Sequence, residues 1–268
     1  MELQIPKPDK NLGQNFLLDP AICSKIVSVA DDIKDKIVLE VGPGPAKLTQ
    51  AILSAQPKKL IVIEKDERFL PHLEYLVQNH SNLEIILGDA SKIDLRGLTR
   101  DKDKKITIIS NLPYNIGTRL LVDWLDHADI IDELILMLQK EVVTRICAAS
   151  DNKQYGRLAV LVQCIANAKK MFDVKPGSFV PAPKVYSSIV HVKPKTPEQL
   201  PDVALYKAIK VVTHFAFSQR RKMLKSSLKL LTPDIEQILK NLAIDSSFRA
   251  ENLKVQDYVN LANATKIL

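Results

Sequence analysis

The sequence predicts an α/β fold, a doubly wound parallel sheet joined to a small all-helical C-terminal domain, on three observations. Four short β-branched runs recur at roughly even spacing through the first half of the chain, and segments of helical periodicity fill the gaps between them. Past a proline-rich stretch the strand pattern gives way to helices alone. A chain of 268 residues, 46% of them hydrophobic, is long and apolar enough to bury a full core.

In chain order, Lys36 to Glu40, Leu60 to Glu64, Leu83 to Leu87 and Ile106 to Ile109 read as buried parallel strands. Lys47 to Ser54 and Glu67 to Asn79 carry helical periodicity between them. Asp132 to Gln139 fits a fifth strand, a helix covers about Lys140 to Ala149, and Ile189 to Val192 is expected to close an antiparallel edge. Beyond Pro181 to Pro201, helices are expected around Ala204 to Ala216, Arg220 to Leu230, Pro233 to Leu242 and Val255 to Asn263. A boundary near Lys195 then divides the chain into domains 1–195 and 196–268. A bundle as small as the second is marginal alone and is expected to dock on the first.

Composition narrows the function classes. Apolar runs such as Leu134 to Leu138 fall far short of the roughly 20 residues that cross a bilayer, so no membrane span is expected. Met1 to Lys10 lacks the apolar stretch of a secretory signal, and Cys23, Cys147 and Cys164 form an odd, scattered set, which favours a reducing cytoplasm. No metal site is expected, and the chain is expected to act as a monomer. The net charge of +7 is concentrated late: Lys169 to Leu230 holds 13 basic and 3 acidic residues, so a polyanion would meet this part.

In an open α/β sheet ligands bind at the carboxyl ends of the strands. The first run ends in Glu40-Val41-Gly42-Pro43-Gly44-Pro45-Ala46, where Gly42 and Gly44 permit a tight turn and close backbone approach to a ligand. A dinucleotide fingerprint wants a small residue three places after its second glycine, and Lys47 there argues against NAD or FAD. The second strand ends in Glu64, placed to accept from ribose hydroxyls, and the third in Gly88-Asp89-Ala90. Asp89 can accept from an adenine amino group, and Ala90 leaves room for the ring. Each acid alone could equally be a helix N-cap. The ordered series of glycine loop, acid and acid resembles the Rossmann-like class I S-adenosylmethionine methyltransferases.

After the fourth strand stands Ser110-Asn111-Leu112-Pro113-Tyr114-Asn115, which resembles the Asn-Leu-Pro-Tyr motif of adenine amino-methyltransferases. The lone pair of an adenine amine is delocalised into the purine and is a poor nucleophile until the nitrogen turns tetrahedral. The Asn111 amide oxygen and the Leu112 carbonyl can accept the two amine protons and hold that geometry. Pro113 fixes the turn, and Tyr114 offers a ring for the base to stack on and a π face for the sulfonium. No general base is assigned, because the nitrogen becomes acidic only after alkylation. A base reaching such a pocket leaves its stack, so a second aromatic is expected, and Phe179 is the candidate for its opposite face.

With these residues in hand the chain resembles the KsgA family, the adenine dimethyltransferases of small-subunit ribosomal RNA, nearly end to end. The likeness is carried by Asn11-Leu12-Gly13-Gln14-Asn15-Phe16-Leu17, the glycine loop, Asn111 to Asn115, Met137 to Val142, Tyr155 to Leu158, Phe179 to Val185 and Ala216 to Lys222. It implies cofactor contacts from Asn15, Leu17, Gly42, Glu64, Asp89 and Asn111, with S-adenosylmethionine as cofactor. It further implies, as product, two adjacent N6,N6-dimethyladenosines in the 3′-terminal hairpin loop of small-subunit RNA, made late in assembly of the 30S subunit. The chain departs from common family forms at Pro45 beside Ala46, and at Tyr186, where an acid is frequent.

Arg220, Arg221, Lys222 and Lys225 are expected on one face and edge of a helix that grips RNA phosphates, with Lys169, Lys170 and Lys175 adding to the patch. Two alternatives stand beside this reading. One is the related methyltransferase of large-subunit RNA that confers antibiotic resistance. The other is an inactive binding protein on the same fold. Gln219-Arg220-Arg221-Lys222 and the form of Phe179 to Val185 disfavour the first, and the intact Asn111 to Tyr114 with Glu64 disfavours the second.

Overall fold

A computed structural model describes residues 4–9, 12–99 and 105–265; Asn11, the first residue of the resembling N-terminal stretch, lies outside them. The chain opens with the two-residue strand β1 (Phe16–Leu17) and the helix α1 (Pro20–Val27), started by Asp19, whose carboxylate accepts from the amides of Ala21 and Ile22. Alternating units follow: β2 (Ile37–Val41), α2 (Lys47–Ser54), β3 (Lys59–Glu64), α3 (Leu70–Val77), β4 (Leu83–Leu87), β5 (Ile106–Asn111), α4 (Gly117–Trp124), β6 (Ile131–Gln139) and α5 (Lys140–Ile146). Next come α6 (Arg157–Ile165), β7 (Ala166–Val174), β8 (Phe179–Val180) and β9 (Ser187–Pro194). The rest is helical among the described residues: α7 (Val203–Ser218), α8 (Leu224–Ser227), α9 (Ile235–Asn241) and α10 (Val255–Thr265).

One sheet takes seven strands in the order β4-β3-β2-β5-β6-β9-β7. Strands β4 through β6 are mutually parallel, and β9 runs antiparallel to β6. The chain winds outward from β2 to β4, then returns to the other side of β2 with β5, so strand order reverses between β2 and β5. That reversal opens a crevice at the strands' carboxyl ends. The β2–β5 pairing stops at Leu39 with Ile108, and the buried Ser110 hydroxyl bridges the parting strands, donating to the Val41 carbonyl at 2.7 Å. Beneath the crevice Val38, Ile52, Leu60, Val62, Leu73, Ile109 and Ile135 form a continuous apolar core, each side chain stabilising by about 1.5–3 kcal/mol relative to exposure.

The sheet departs from expectation on one side. Ile189 to Val192 is antiparallel as expected but not an edge, because β7 lies outside it. Nothing in the sequence marked β7: α6 passes into it at Ala166, in extended geometry, with no glycine or proline between, and its lysines mask the alternating burial.

The described chain divides into two compact units. The first comprises the residues up to Val143 with Lys169–Pro194, and the second takes Thr144–Ala168 with the residues from Lys195 onward. The helical tail is therefore not a unit by itself. Within the second unit Phe217 stacks on Tyr258 with ring centroids 5.7 Å apart, and the Tyr258 hydroxyl donates to the Ala250 carbonyl at 2.6 Å.

The expected helix from Arg220 to Leu230 is corrected. Gln219 to Lys222 form a turn, Met223 is extended, and only Leu224–Ser227 is helical. The Leu224 amide donates to the Phe248 carbonyl at 2.7 Å instead of to a preceding helical turn, which breaks any continuous helix there.

Candidate active site

At the switch point the loops after β2, β3, β4 and β5 and the segment before α1 surround a cavity of about 320 Å³. Gly42 and Gly44 both take positive φ, 68° and 50°, which lets the loop turn sharply over the sheet. A Cβ on Gly44 would stand 3.4 Å from the Phe16 ring, an ordinary contact, so it is the positive φ and not crowding against β1 that favours glycine there. Ala46, at the flagged departure, carries the left-handed φ of 61° and gives α2 no side-chain cap. A non-glycine residue held there costs about 1–2 kcal/mol.

Glu64 is buried and accepts three backbone amides: Gly44 at 3.0 Å, and Lys65 and Asp66 at 2.8 Å each. Burial raises its carboxyl above the ordinary range against these bonds. It locks the glycine loop to the end of β3 and keeps one further acceptor position for a ligand hydroxyl. Asp89 combines both roles weighed for it: it caps the short turn Ala90–Lys92 through Ser91, and it lines the cavity together with Ala90. The Ser91 hydroxyl at 2.7 Å and the Lys65 ammonium at 2.9 Å hold its carboxyl far below the usual carboxylate range.

Strand β5 delivers Asn111 to the rim. Its Nδ2 donates to the Asn15 carbonyl at 3.3 Å, and Asn15 in turn donates to the Gly13 carbonyl at 3.3 Å. The Leu112 amide donates to the Met137 carbonyl on β6, and the Pro113 carbonyl accepts from Ile116 and Gly117, starting α4. The Asn111–Tyr114 turn is thus pinned at both ends. Tyr114 shares a 2.6 Å hydrogen bond with the Ser187 hydroxyl, and burial raises its phenol.

The structure brings Asn15, Leu17, Gly42, Gly44, Glu64, Asp89, Ala90, Asn111, Leu112, Pro113 and Tyr114 together around this one cavity. It does not bring Phe179 there. That side chain is 3% exposed in the apolar core, and its residue pairs with Leu17 across the small β1–β8 ladder. In this arrangement its ring is buried and does not line the cavity. Arg220, Arg221, Lys222 and Lys225 lie in the second unit. Arg221, Lys222 and Lys225 are exposed, whereas the Arg220 guanidinium is engaged with the Tyr155 carbonyl at 2.8 Å and the Glu251 carboxylate at 3.0 Å. Arg220 is therefore corrected from phosphate ligand to internal tie.

Glu40 escaped the strand-end reasoning. It lies inside β2, 1% exposed, lines the cavity, and its Oε2 has no hydrogen-bond partner. Burial pushes its carboxyl up to about 8, with Glu64 nearby adding to the rise. Its signal in the sequence is a carboxylate within an otherwise apolar strand, Ile-Val-Leu-Glu-Val. An unsatisfied buried acceptor fits a ligand that brings a cationic or N–H donor, such as the amino group of S-adenosylmethionine.

A mostly parallel sheet with its cavity at the strand-order reversal, followed along the chain by a helical C-terminal region, is the class I methyltransferase fold. The family model described as ribosomal RNA adenine dimethylase matches residues 6–266. A ribosomal RNA small subunit methyltransferase A from Xanthobacter autotrophicus is 44% identical over 258 residues, covering 95% of this chain and 88% of the relative. Among solved structures, a dimethyladenosine transferase from Plasmodium falciparum aligns with TM-score 0.77 at 28% identity, covering 91% of this chain and 95% of its own. The 23S rRNA methyltransferase ErmE aligns with TM-score 0.71 at 22% identity, covering 93% and 99%, a likeness of fold. The chain belongs to the ribosomal RNA adenine dimethylase family.

Proposed function

We propose that this enzyme uses S-adenosylmethionine to convert two adjacent adenosines in the 3′-terminal hairpin loop of small-subunit ribosomal RNA to N6,N6-dimethyladenosine, late in assembly of the 30S subunit. The observation that carries the reading is the Asn111–Tyr114 turn on the rim of the same cavity that Glu40, Glu64 and Asp89 line.

The cofactor supplies a methyl carbon bound to a cationic sulfur that departs as a neutral thioether. The protein's part is positioning. Glu40 receives the cofactor's amino group, Glu64 a ribose hydroxyl, and Asp89 beside Ala90 the adenine. Engaging Nδ2 with Asn15 leaves the Asn111 amide oxygen as that side chain's acceptor. With the Leu112 carbonyl it accepts hydrogen bonds from the N–H groups of the target amine and aims the lone pair at the methyl carbon. As the N–C bond forms, the C–S bond breaks, and the alkylated nitrogen then sheds a proton to solvent. The Tyr114 ring stacks on the target base. Small-subunit specificity draws support from the curated relative and from the Phe179 to Val185 segment.

Replacing Asn111 by Ala tests this directly. We expect single-turnover methylation to fall by about 10²–10³-fold, with subunit binding nearly unchanged. Turnover equal to that of the parent would remove Asn111 from the amine site.

A further inference from the structure

We propose that Lys47 receives the carboxylate of the cofactor's amino-acid end, so that Glu40 and Lys47 between them hold its two opposite charges. The inference rests on the reading of the cavity as the S-adenosylmethionine site. Three carboxylates line the cavity, Glu40, Glu64 and Asp89, and so do three cations, Lys47, Lys65 and Arg119. An anionic group that enters among three acids is repelled unless a cation receives it. Lys65 is committed to Asp89 at 2.9 Å, and Arg119, 76% exposed, stands 3.5 Å from Asp123. Lys47 is partly buried and has no ion pair among the described residues.

Local structure does not account for a cation there. Lys47 opens α2, where the positive end of the helix disfavours a lysine by about 0.3–1 kcal/mol. Ala46 before it supplies no side-chain cap. Two positive features thus meet on the cavity wall, and a bound anion turns their repulsion into attraction.

Glu40 shows which anion. Its buried, unpartnered Oε2 fits an ammonium. An α-amino acid carries ammonium and carboxylate on one carbon, so the partner of the carboxylate must stand close to Glu40. The opening of α2 is close. Burial raises the Glu40 carboxyl, and the hydroxyl of Thr49, in the first turn of α2, opposes that rise. The buried Cys23 thiol lies in the field of both charges: burial pushes it up to about 12, Glu40 adds to the rise and Lys47 opposes it. Strand order agrees. Asp89 follows β4, Glu64 ends β3 and Glu40 lies in β2, three neighbours in the sheet, so the proposed adenine, ribose and amino contacts cross the crevice in that order. The glycine loop after β2 then leads into α2 at Lys47.

The experiment is calorimetric titration of the full-length protein with S-adenosylhomocysteine and, separately, with its decarboxylated analogue, which keeps the amine and lacks the carboxylate. Lys47→Gln is expected to weaken binding of S-adenosylhomocysteine about tenfold, the scale of one charge-assisted hydrogen bond, and that of the analogue less than about twofold. Glu40→Gln should weaken both ligands, because both carry the amine. A Lys47→Gln loss equal for the two ligands, or no loss for either, would overturn the proposal. Failure of the parent to bind S-adenosylhomocysteine would overturn the cofactor reading and this inference together. A parent that binds it but transfers no label to adenine overturns the proposed function and leaves Lys47 to be judged by the two affinities.

Discussion

Glu40 shows how one residue couples the cavity to pH. Its carboxyl is raised from about 4.5 to about 8 by burial, so the folded state binds its proton more tightly than the unfolded chain does. Its contribution to stability is present in full below the unfolded value and is lost as pH climbs to about 8. Without cofactor, the melting temperature should therefore decline between about pH 5 and 8 more steeply in the parent than in Glu40→Gln. The cofactor's ammonium favours the ionised carboxylate, so cofactor affinity should rise with pH over the upper part of that window. Glu40→Gln should flatten the rise as well as weaken binding. Calorimetric titrations of the two proteins from pH 6 to 8 check this, and parallel pH slopes would detach Glu40 from the amino group. The strand-end rule found Glu64 and Asp89 because each follows an apolar run. It gave Glu40 no role although the first run also ends on that residue, because the glycines that follow carried the ligand-binding reading there.

At the scale of the element, the reacting turn depends on how closely α4 approaches β6. A Cβ on Gly117 would stand 2.6 Å from the Leu138 Cδ2 and 3.1 Å from the Leu112 Cβ. The leucine methyl can move, but Leu112 belongs to the turn that presents Asn111. Gly117→Ala is expected to cost about 1–3 kcal/mol by overpacking and to lower kcat more than cofactor affinity. Thermal melts and single-turnover rates on the same variant separate the two effects. The five parallel strands were legible because buried parallel strands read as unbroken β-branched runs. Strand β7 was not, since a helix flows into it without punctuation and its exposed alternate positions, Asn167, Lys169, Met171 and Asp173, mix polar, charged and apolar residues. The helix expected after Arg220 shows the reverse error. Basic residues at helical spacing suggested a continuous helix, but tertiary backbone bonds to Phe248 claimed the segment.

For the whole molecule, the proposed function assigns the task of finding RNA to the basic excess of the late chain and that of choosing a base to the cavity of the α/β unit. On the proposed function, exposed Arg221, Lys222 and Lys225 are the candidates to meet phosphate, with Arg220 committed to Tyr155 and Glu251. Arg221→Glu should weaken subunit binding several-fold near 0.1 M salt, with a shallower salt dependence, and leave cofactor affinity unchanged. Arg220→Ala should instead lower the unfolding free energy by about 1 kcal/mol, because it removes a tie within the second unit. Among the described residues no helix is long and apolar enough to cross a membrane. The lining of the cavity was readable from residue types after strands. The RNA half was less so, because surface charge in the sequence does not reveal which cations the fold has already paired.

The most direct test of the central claim is a nucleotide map. The protein is incubated with labelled S-adenosylmethionine and small subunits from cells lacking the modification, and the RNA is then digested and resolved. The account predicts label in N6,N6-dimethyladenosine at two adjacent positions of the 3′-terminal hairpin loop, reduced about 10²–10³-fold in rate by Asn111→Ala. Label confined to any other base, or absent from adenine, would contradict it.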